Sequence, residues 1–323
     1  MEIAINKPVT DRFILNEGYV FRNDFVFVRG DHKSNIFDRL VIRTPQRTRS
    51  HDRRQGFSSK SLIEHIELVN RLQIRKALIY CDDLSFLTRC PCVQDVMISP
   101  SYDADAEFDY SPLYQMPDIQ NLSCITVYGD DEQYTTKIDY SRLPNLQAVT
   151  LHGNGHVGYE TLTNLQNLQM TCVKRHKSFT SLSSSKVLKH AEFTQCGLQS
   201  LNGIGQHKIL SKLVLYNNNS LKDISNLPEV ADSLTELVIE NCSKIKDFSV
   251  LEHLVHLKHL QLGGNNVLPD LQFLRKMPEL KTFTFSMNVE DGDLRPCLDL
   301  PYASCRNRKH YNLKDEQLPK NLA

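Results

Sequence analysis

Two short groups of cysteines and histidines are the places in this sequence where side chains could do chemistry. Cys90-Pro91-Cys92 places two thiols close together, and thiols serve as redox groups and zinc ligands. This pair is one residue short of the Cys-x-x-Cys spacing that redox and zinc sites use, so we interpret it as a buried turn. His253, His256 and His259 could bind zinc only if their side chains converged. Their places in the repeat frame of the chain predict that they diverge.

The sequence has none of the short motifs that mark common enzyme classes. It has no P-loop, no Gly-x-Ser-x-Gly, no His-Glu-x-x-His and no Gly-x-Gly-x-x-Gly. We therefore predict a non-enzymatic protein that uses no cofactor and no metal ion.

Composition limits the kinds of partner and location. Lys and Arg number 38, and Asp and Glu also number 38, so the formal net charge is zero and general nucleic-acid binding is not expected. The N-terminus has no basic segment followed by an apolar run, and no stretch reaches the ~20 apolar residues of a membrane helix. Nine cysteines, an odd number, favour reduced thiols over a disulfide framework. If Met1 is the natural start, we expect a cytoplasmic monomer without a membrane segment, or a delivered effector.

A repeat between residues 210 and 288 sets the elements that would position any functional side chain. Four segments share the spacing L-x-x-L-x-L-x-x-N/C, with Ile or Phe at some leucine positions, and their starts lie 24, 23 and 23 residues apart. The alternating part predicts a short strand with inward apolar residues, and the Asn or Cys can bond backbone groups where the chain turns. The segments are Leu210 to Asn218, Leu234 to Cys242, Leu257 to Asn265 and Leu280 to Asn288.

Less regular segments upstream extend this pattern to ten predicted repeats. They begin at residues 74, 93, 122, 146, 165, 188, 210, 234, 257 and 280. In the return half of each repeat, apolar residues recur at a spacing of three, as in Leu221, Ile224 and Leu227. This spacing favours 3₁₀ or short α-helical turns.

Two segments flank the repeats. Tyr19–Phe21 and Phe25–Val28 predict a β-hairpin, Phe37–Ile42 fits the repeat spacing, and a helix is predicted from Ser58 or Ser59 to about Leu72. After Asn288 the repeat pattern stops. Because a solenoid must shield its terminal core layers, we assign residues 1–73 to an N-terminal α/β cap, 74–288 to the repeats and 289–323 to a C-terminal cap and tail.

Residues 188–288, through the motifs quoted, resemble the short leucine-rich repeats of bacterial internalins and related intracellular repeat proteins. The resemblance implies an α/β fold, namely a curved right-handed solenoid with a parallel sheet on its concave face and 3₁₀ or short helical returns on its convex face. It also implies a concave surface that binds another protein, without naming that partner.

The concave face is where we expect the partner to bind. The third, fifth and seventh residues of each repeat point away from the core, because strand side chains alternate. Aromatic and charged residues at these positions have the composition of binding hot spots, although strand propensity alone also favours Tyr and Thr. The predicted binding residues are Tyr128, His152, Glu192, Lys212, Tyr216 and Glu240.

A polar segment from Arg43 to Gly56 is a second candidate surface. We expect an exposed loop there, and the alternative is a loop that binds an acidic protein or RNA phosphates. Its basic residues are Arg43, Arg47, Arg49, Arg53 and Arg54.

The sequence thus predicts a protein-interaction module, and an inhibitor, an immunity-type protein or an effector are specific forms of that function. The alternative hypothesis places an enzymatic or RNA-binding activity in residues 1–73, with the repeats as a targeting scaffold. A third hypothesis is a structural subunit that assembles with itself through the edge of the solenoid.

Overall fold

The computed structural model describes residues 12–15, 19–21, 27–29, 39–43, 62–80, 83–98, 109–124 and 137–321. The chain divides into two compact units, Met1–Leu162 and Thr163–Ala323. Each unit contains a parallel sheet whose neighbouring strands come from consecutive repeats.

In the first unit, β4 to β8 pair in parallel and in sequence order, and β1 pairs antiparallel with β4. Strands β2 and β3 form the predicted hairpin, and helix α1 (Leu62–Arg71) confirms the helix predicted to end near Leu72. The strands are β1 (Arg12–Leu15), β2 (Tyr19–Phe21), β3 (Phe27–Arg29), β4 (Arg39–Arg43), β5 (Lys76–Tyr80), β6 (Asp95–Ile98), β7 (Asn121–Cys124) and β8 (Ala148–His152).

Strand pairing fixes the repeat frame of this unit and corrects one repeat. Leu40 pairs with Ala77 across β4 and β5, which confirms that Phe37–Ile42 fits the frame of the repeats. Across β6 and β7, Val96 pairs with Leu122, so the third predicted repeat begins at Ile119 and not at Leu122. The prediction was wrong because Leu122 and the apolar residues after it satisfy the same spacing three residues later. Ile119 is 1% exposed, as a first-position residue should be.

In the second unit, β9 to β13, β15 and β17 pair in parallel, position for position. A separate two-stranded parallel sheet joins β14 to β16. The strands are β9 (Asn167–Thr171), β10 (His190–Thr194), β11 (Lys212–Tyr216), β12 (Glu236–Glu240), β13 (His259–Gly263), β14 (Val267–Leu268), β15 (Thr282–Phe285), β16 (Asn288–Val289) and β17 (Tyr302–Cys305).

Strand β17 shows that the sheet continues past Asn288, contrary to the prediction that the pattern stops there. Phe283 pairs with Ala303 and Phe285 with Cys305, so small residues occupy the leucine positions of this last repeat and conceal it in the sequence. The tail then covers the outer edge of β17. The Ala303 N–H donates to the Pro319 carbonyl at 2.9 Å, and the Lys320 ammonium donates to the Ala303 carbonyl at 2.7 Å.

The return halves of the repeats are 3₁₀ helices, as the spacing of three predicted. In the first unit they include Ser85–Arg89, Ser111–Gln115, Tyr140–Arg142 and Tyr159–Thr161. In the second unit they include Phe179–Leu182, Ile204–Gln206, Leu227–Val230, Ser249–His253, Gln272–Lys276 and Arg295–Asp299. Among the described helices, none combines the length and apolar character that a membrane span needs.

Buried leucines hold the layers of the second unit together. Leu213, Leu215 and Leu237 are each 0% exposed, so they point into the core from β11 and β12. A fully buried leucine side chain contributes roughly 1.5–3 kcal/mol, and the stack of repeats multiplies this term.

A buried polar side chain closes several turns after the strands. Asn218 is fully buried; its Oδ1 accepts from the Cys196 N–H at 2.9 Å and its Nδ2 donates to the Phe193 carbonyl at 2.7 Å. Cys242 fills the same slot one repeat later, with its thiol 3.5 Å from the Leu215 carbonyl. In the next repeat, however, the predicted Asn265 is exposed and Asn266 is the buried residue.

The eighth position of the repeats carries a backbone conformation that the sequence pattern did not reveal. Its φ is positive in six consecutive repeats, at Gly153, Cys172, Gln195, Asn217, Asn241 and Gly264. Gly and Asn tolerate this left-handed region, whereas other residues are strained in it. The one-residue displacement from Asn265 to Asn266 follows directly after Gly264, whose φ of 110° is the largest of the six.

Candidate functional site

The outward side chains of β10 to β13 form three rows, because the strands pair in register. The third positions align His190, Lys212, Glu236 and His259; the fifth align Glu192, Val214, Val238 and Gln261; the seventh align Thr194, Tyr216, Glu240 and Gly263. We call these twelve residues the outward face. Four of the six predicted binding residues, Glu192, Lys212, Tyr216 and Glu240, lie within it.

The middle row is more sheltered than the sequence predicted. Val214 is 4% exposed and Val238 is 8% exposed, although both alternate with core residues and point away from the core. Pointing away from the core therefore does not leave Val214 and Val238 exposed, whereas Glu192 and Gln261 in the same row are half-buried. The two valines form a covered apolar strip, and contact with a partner falls to the polar side chains around it.

Lys212 and Glu236 form an ion pair in the third row. Their nitrogen and oxygen atoms are 3.0 Å apart, and the side chains are 32% and 34% exposed. An ion pair this close to solvent contributes no more than about 1 kcal/mol to stability. Its main consequence is electrostatic, because Glu236 neutralises the lysine of this face.

Two glutamates are held by glutamines on opposite sides of the face. Gln169 of β9 donates to Glu192 Oε2 at 3.0 Å, and Gln261 of β13 donates to Glu240 Oε2 at 3.0 Å. Burial raises the pKa of Glu192, against the lowering effects of the Gln169 hydrogen bond and the Lys212 charge. Glu240 leans over Gly263, where an added Cβ would lie 2.8 Å from Glu240 Cγ. Both carboxylates are thus positioned before any partner arrives.

Tyr216 lies on β11, between the strands that carry the two glutamates. It pairs directly with Glu240, and it is half-buried. Burial raises its pKa, and the negative charges of Glu240 and Glu192 raise it further. The phenol therefore stays protonated near neutral pH, under the electrostatic influence of both carboxylates.

The remaining predicted binding residues lie elsewhere. His152 is half-buried at the end of β8, in the first unit. Tyr128 lies outside the described residues, and the corrected frame removes the reason for placing it in the seventh position. Arg43 ends β4 and pairs with Tyr80, so it belongs to a strand and not to the basic loop. Arg47, Arg49, Arg53 and Arg54 lie outside the described residues.

The cysteine pair behaves as a turn. Cys90 ends a 3₁₀ helix and is fully buried, and burial raises the pKa of its thiol to about 12. Cys92 is half-buried, with its thiol 3.6 Å from Asn70 Oδ1 and a pKa also raised by burial. A thiol with a raised pKa is protonated at neutral pH and is a poor nucleophile.

The three histidines each face a different partner. His253 Nε2 lies 3.9 Å from Glu252, His256 Nδ1 lies 2.7 Å from Glu279, and His259 Nδ1 lies 2.7 Å from Thr282 Oγ1. The side chains therefore diverge. Within the described part of the chain, no group of three or more His, Cys, Asp or Glu side chains is arranged to hold a metal ion.

The glutamines were missed by sequence reasoning. Gln169 lies directly beside Glu192 in the fifth-position row, so an amide next to a carboxylate in one row is the signal that could have identified this support. Gln261 is in the same row beside Val238 and bonds Glu240 of the seventh-position row diagonally, which the row alone does not reveal.

Solved structures resemble the fold of this chain. The chain is similar to an internalin, InlF from Listeria monocytogenes, with 18% identity over 74% of this chain and 76% of that chain and a TM-score of 0.52. The functional domain of InlJ from the same organism matches at 13% identity, 72% and 52% coverage and a TM-score of 0.45, so the chain spans about half of that protein. A leucine-rich-repeat protein of Leptospira interrogans matches at 17% identity, 77% and 59% coverage and a TM-score of 0.38. No protein-family model and no curated protein sequence matches the chain.

Proposed function

We propose that this chain, which has the leucine-rich-repeat fold, is a non-enzymatic scaffold whose outward face binds a protein partner. The observation that carries this proposal is the set Glu192, Lys212, Tyr216 and Glu240 on three neighbouring strands. Charged and aromatic side chains here have no role in the leucine core beneath them.

Rigidity supports the proposal. Each residue of the set sits on a strand that is paired on both sides, and the two glutamates are hydrogen-bonded to glutamines. Ordering a mobile side chain on binding costs about 0.5–1.5 kcal/mol, so side chains that are already ordered bind with a smaller entropy loss. A tyrosine beside charged residues is also the composition enriched at the centre of protein interfaces.

Two more specific roles would each use this single preformed face. An inhibitor or immunity-type protein would use it to mask a surface of its target, and an effector would use it to capture a host protein. A cytoplasmic monomer remains the proposed form of the protein in either case.

Quantitative affinity capture with the full chain tests the proposal. The face variant carries Tyr216→Ala and Glu240→Ala. The matched control carries His253→Ala and Glu229→Ala, which remove one exposed ring and one exposed carboxylate from the 3₁₀ returns. Because Tyr216 is half-buried, we expect Tyr216→Ala alone to lower the free energy of unfolding by no more than about 1 kcal/mol.

The expected result is a protein retained by the wild type and the control and lost from the folded face variant. Equal retention by all three chains would contradict binding at the outward face. A loss of stability of several kcal/mol on Tyr216→Ala would show instead that Tyr216 belongs to the core.

A further inference from the structure

The outward face has more acidic than basic charge. Across its three rows the carboxylates and ammonium groups are those of Glu192, Lys212, Glu236 and Glu240. Lys212 is engaged by Glu236 at 3.0 Å. The Lys212 charge also acts on Glu192, but this single lysine stands against three glutamates, so the charged side chains of these rows carry a negative excess.

The surroundings of Glu192 make its negative charge energetically unfavourable. Its carboxylate is half-buried, and Gln169 supplies a neutral hydrogen bond to one oxygen rather than a positive charge. A partly desolvated carboxylate is stabilised when a cation approaches it. Glu240 has the same arrangement, with Gln261 on one oxygen.

Tyr216 adds a flat surface next to Glu240. It is the neighbour of Glu240 across β11 and β12, and it lies diagonally from Glu192 across β10 and β11. An aromatic face attracts a cation that stands over it. The sheltered strip of Val214 and Val238 beside it favours a group with weak hydration.

We propose that the outward face binds an arginine-bearing segment of the protein partner, with a guanidinium beside Glu240 and over the Tyr216 ring and with Glu192 adding negative charge on the β10 side. This inference rests on the proposed function, because it describes the chemistry of the partner at the same face.

Arginine fits this face better than lysine. A guanidinium is planar, stacks on an aromatic ring and presents five N–H donors, so it can bond a carboxylate while it lies over a neighbouring tyrosine. It is also less strongly hydrated than an ammonium, which suits a half-buried site. An acidic segment or a nucleic-acid backbone would be repelled by Glu192 and Glu240.

Fluorescence anisotropy with the full chain tests the inference. The probe is a labelled peptide of five Gly-Arg repeats, and the comparison peptides replace every arginine with citrulline or with lysine. Citrulline keeps the shape of arginine and removes its charge. The protein variants are Glu192→Gln, Glu240→Gln and their combination, and the matched control is Glu229→Gln, which removes one exposed charge from a 3₁₀ return.

We expect the arginine peptide to bind the wild type at least about tenfold more tightly than the citrulline peptide, and more tightly than the lysine peptide. The double variant should bind it at least about tenfold more weakly, since truncating charge partners at an interface has effects of this size or larger. Glu229→Gln should leave the affinity unchanged, and a melting temperature near that of wild type would establish that the variants fold.

Three outcomes would overturn the inference: no binding of the arginine peptide, equal binding of the citrulline peptide, or binding by the double variant within about twofold of wild type. The proposed function fails separately. If affinity capture finds a partner that depends on Tyr216 and Glu240 while the arginine peptide does not bind, the outward face binds protein by another chemistry. If the peptide binds as expected and no captured protein depends on the face, the scaffold function is wrong.

Discussion

Replacing Asn266 and Asn265 one at a time decides between the repeat signature and the structure. The signature places the turn asparagine at 265, whereas the structure buries Asn266, which is 6% exposed, and leaves Asn265 exposed. Asn266 Nδ2 donates to the Ile245 carbonyl at 2.7 Å and to the Cys242 carbonyl at 3.2 Å.

The expected loss of stability depends on which backbone carbonyls lose a hydrogen-bond donor when Asn266 is replaced. In Asn266→Ala, the Ile245 carbonyl loses a buried donor, which costs about 1–3 kcal/mol. The Cys242 carbonyl still accepts from the Ile245 N–H at 3.2 Å, so losing its bond from Asn266 costs less free energy of unfolding. The Oδ1 atom of Asn266 has no hydrogen-bond partner among the described residues, so its removal offsets part of the cost. We expect a net loss of about 1–3 kcal/mol for Asn266→Ala and within about 0.5 kcal/mol for Asn265→Ala.

Urea unfolding followed by far-UV circular dichroism provides the measurement, with the midpoints compared at a common slope. Asn218→Ala is the positive reference. Both polar atoms of that side chain are bonded to buried backbone groups, so it should cost more than Asn266→Ala. A loss for Asn265→Ala equal to or larger than that for Asn266→Ala would refute the assignment.

The other predictions concern the core, the left-handed turn and a buried histidine. Leu237→Asp places an unpaired charge at a fully buried position and should cost roughly 3 kcal/mol or more; a soluble variant with an unchanged melting temperature would contradict the repeat frame. Gln195→Gly should raise the free energy of unfolding by up to about 1 kcal/mol, because Gln195 has a φ of 54°; a loss in urea unfolding would show that its side-chain contacts outweigh the backbone strain. His207 is fully buried, and its Nδ1 lies 2.9 Å from the Ser185 carbonyl oxygen. Burial lowers the pKa of His207 in the folded protein, so the unfolded chain takes up this proton first as pH falls. The contribution of neutral His207 to the free energy of unfolding is therefore complete above about pH 6.5 and is lost as pH falls through the lowered folded pKa. Urea midpoints should therefore decline less for His207→Leu than for wild type between about pH 7 and pH 5, and parallel declines would exclude His207 as the titrating group.

The strand frame was predictable because leucine, isoleucine and valine at fixed spacing leave few alternatives. From Leu188 onward each predicted strand start agrees with the observed pairing, since the inward residues of β10 to β13 and of β15 are apolar and, apart from Ala191, large. The frame failed where side-chain size no longer distinguished positions. At β7 the apolar residues continue past the strand, and at β17 alanine and cysteine replace leucine.

The sequence predicted which residues lie on the outward face, but not which of their side chains contact each other. Alternation along each strand placed Glu192, Tyr216 and Glu240 on one side, and the structure agrees. Which side chains contact each other depends on rotamers and on neighbours in adjacent strands. The bonds from Gln169 and Gln261, and the shelter over Val214, are therefore visible only in three dimensions.

The tail that covers β17 has a consequence for pairing between copies of the chain at that edge of the sheet. A parallel strand at the end of a sheet is a template on which another chain can add a strand. Here the Ala303 N–H and carbonyl are both occupied by residues 319–320, and Asp315 accepts from the Cys305 N–H at 2.7 Å. Residues 319–320 thus occupy the backbone groups with which a strand of another chain would pair. Detachment of residues 315–320 from β17 would expose these backbone groups to a strand of another chain, while the leucine core of the preceding repeats stayed intact.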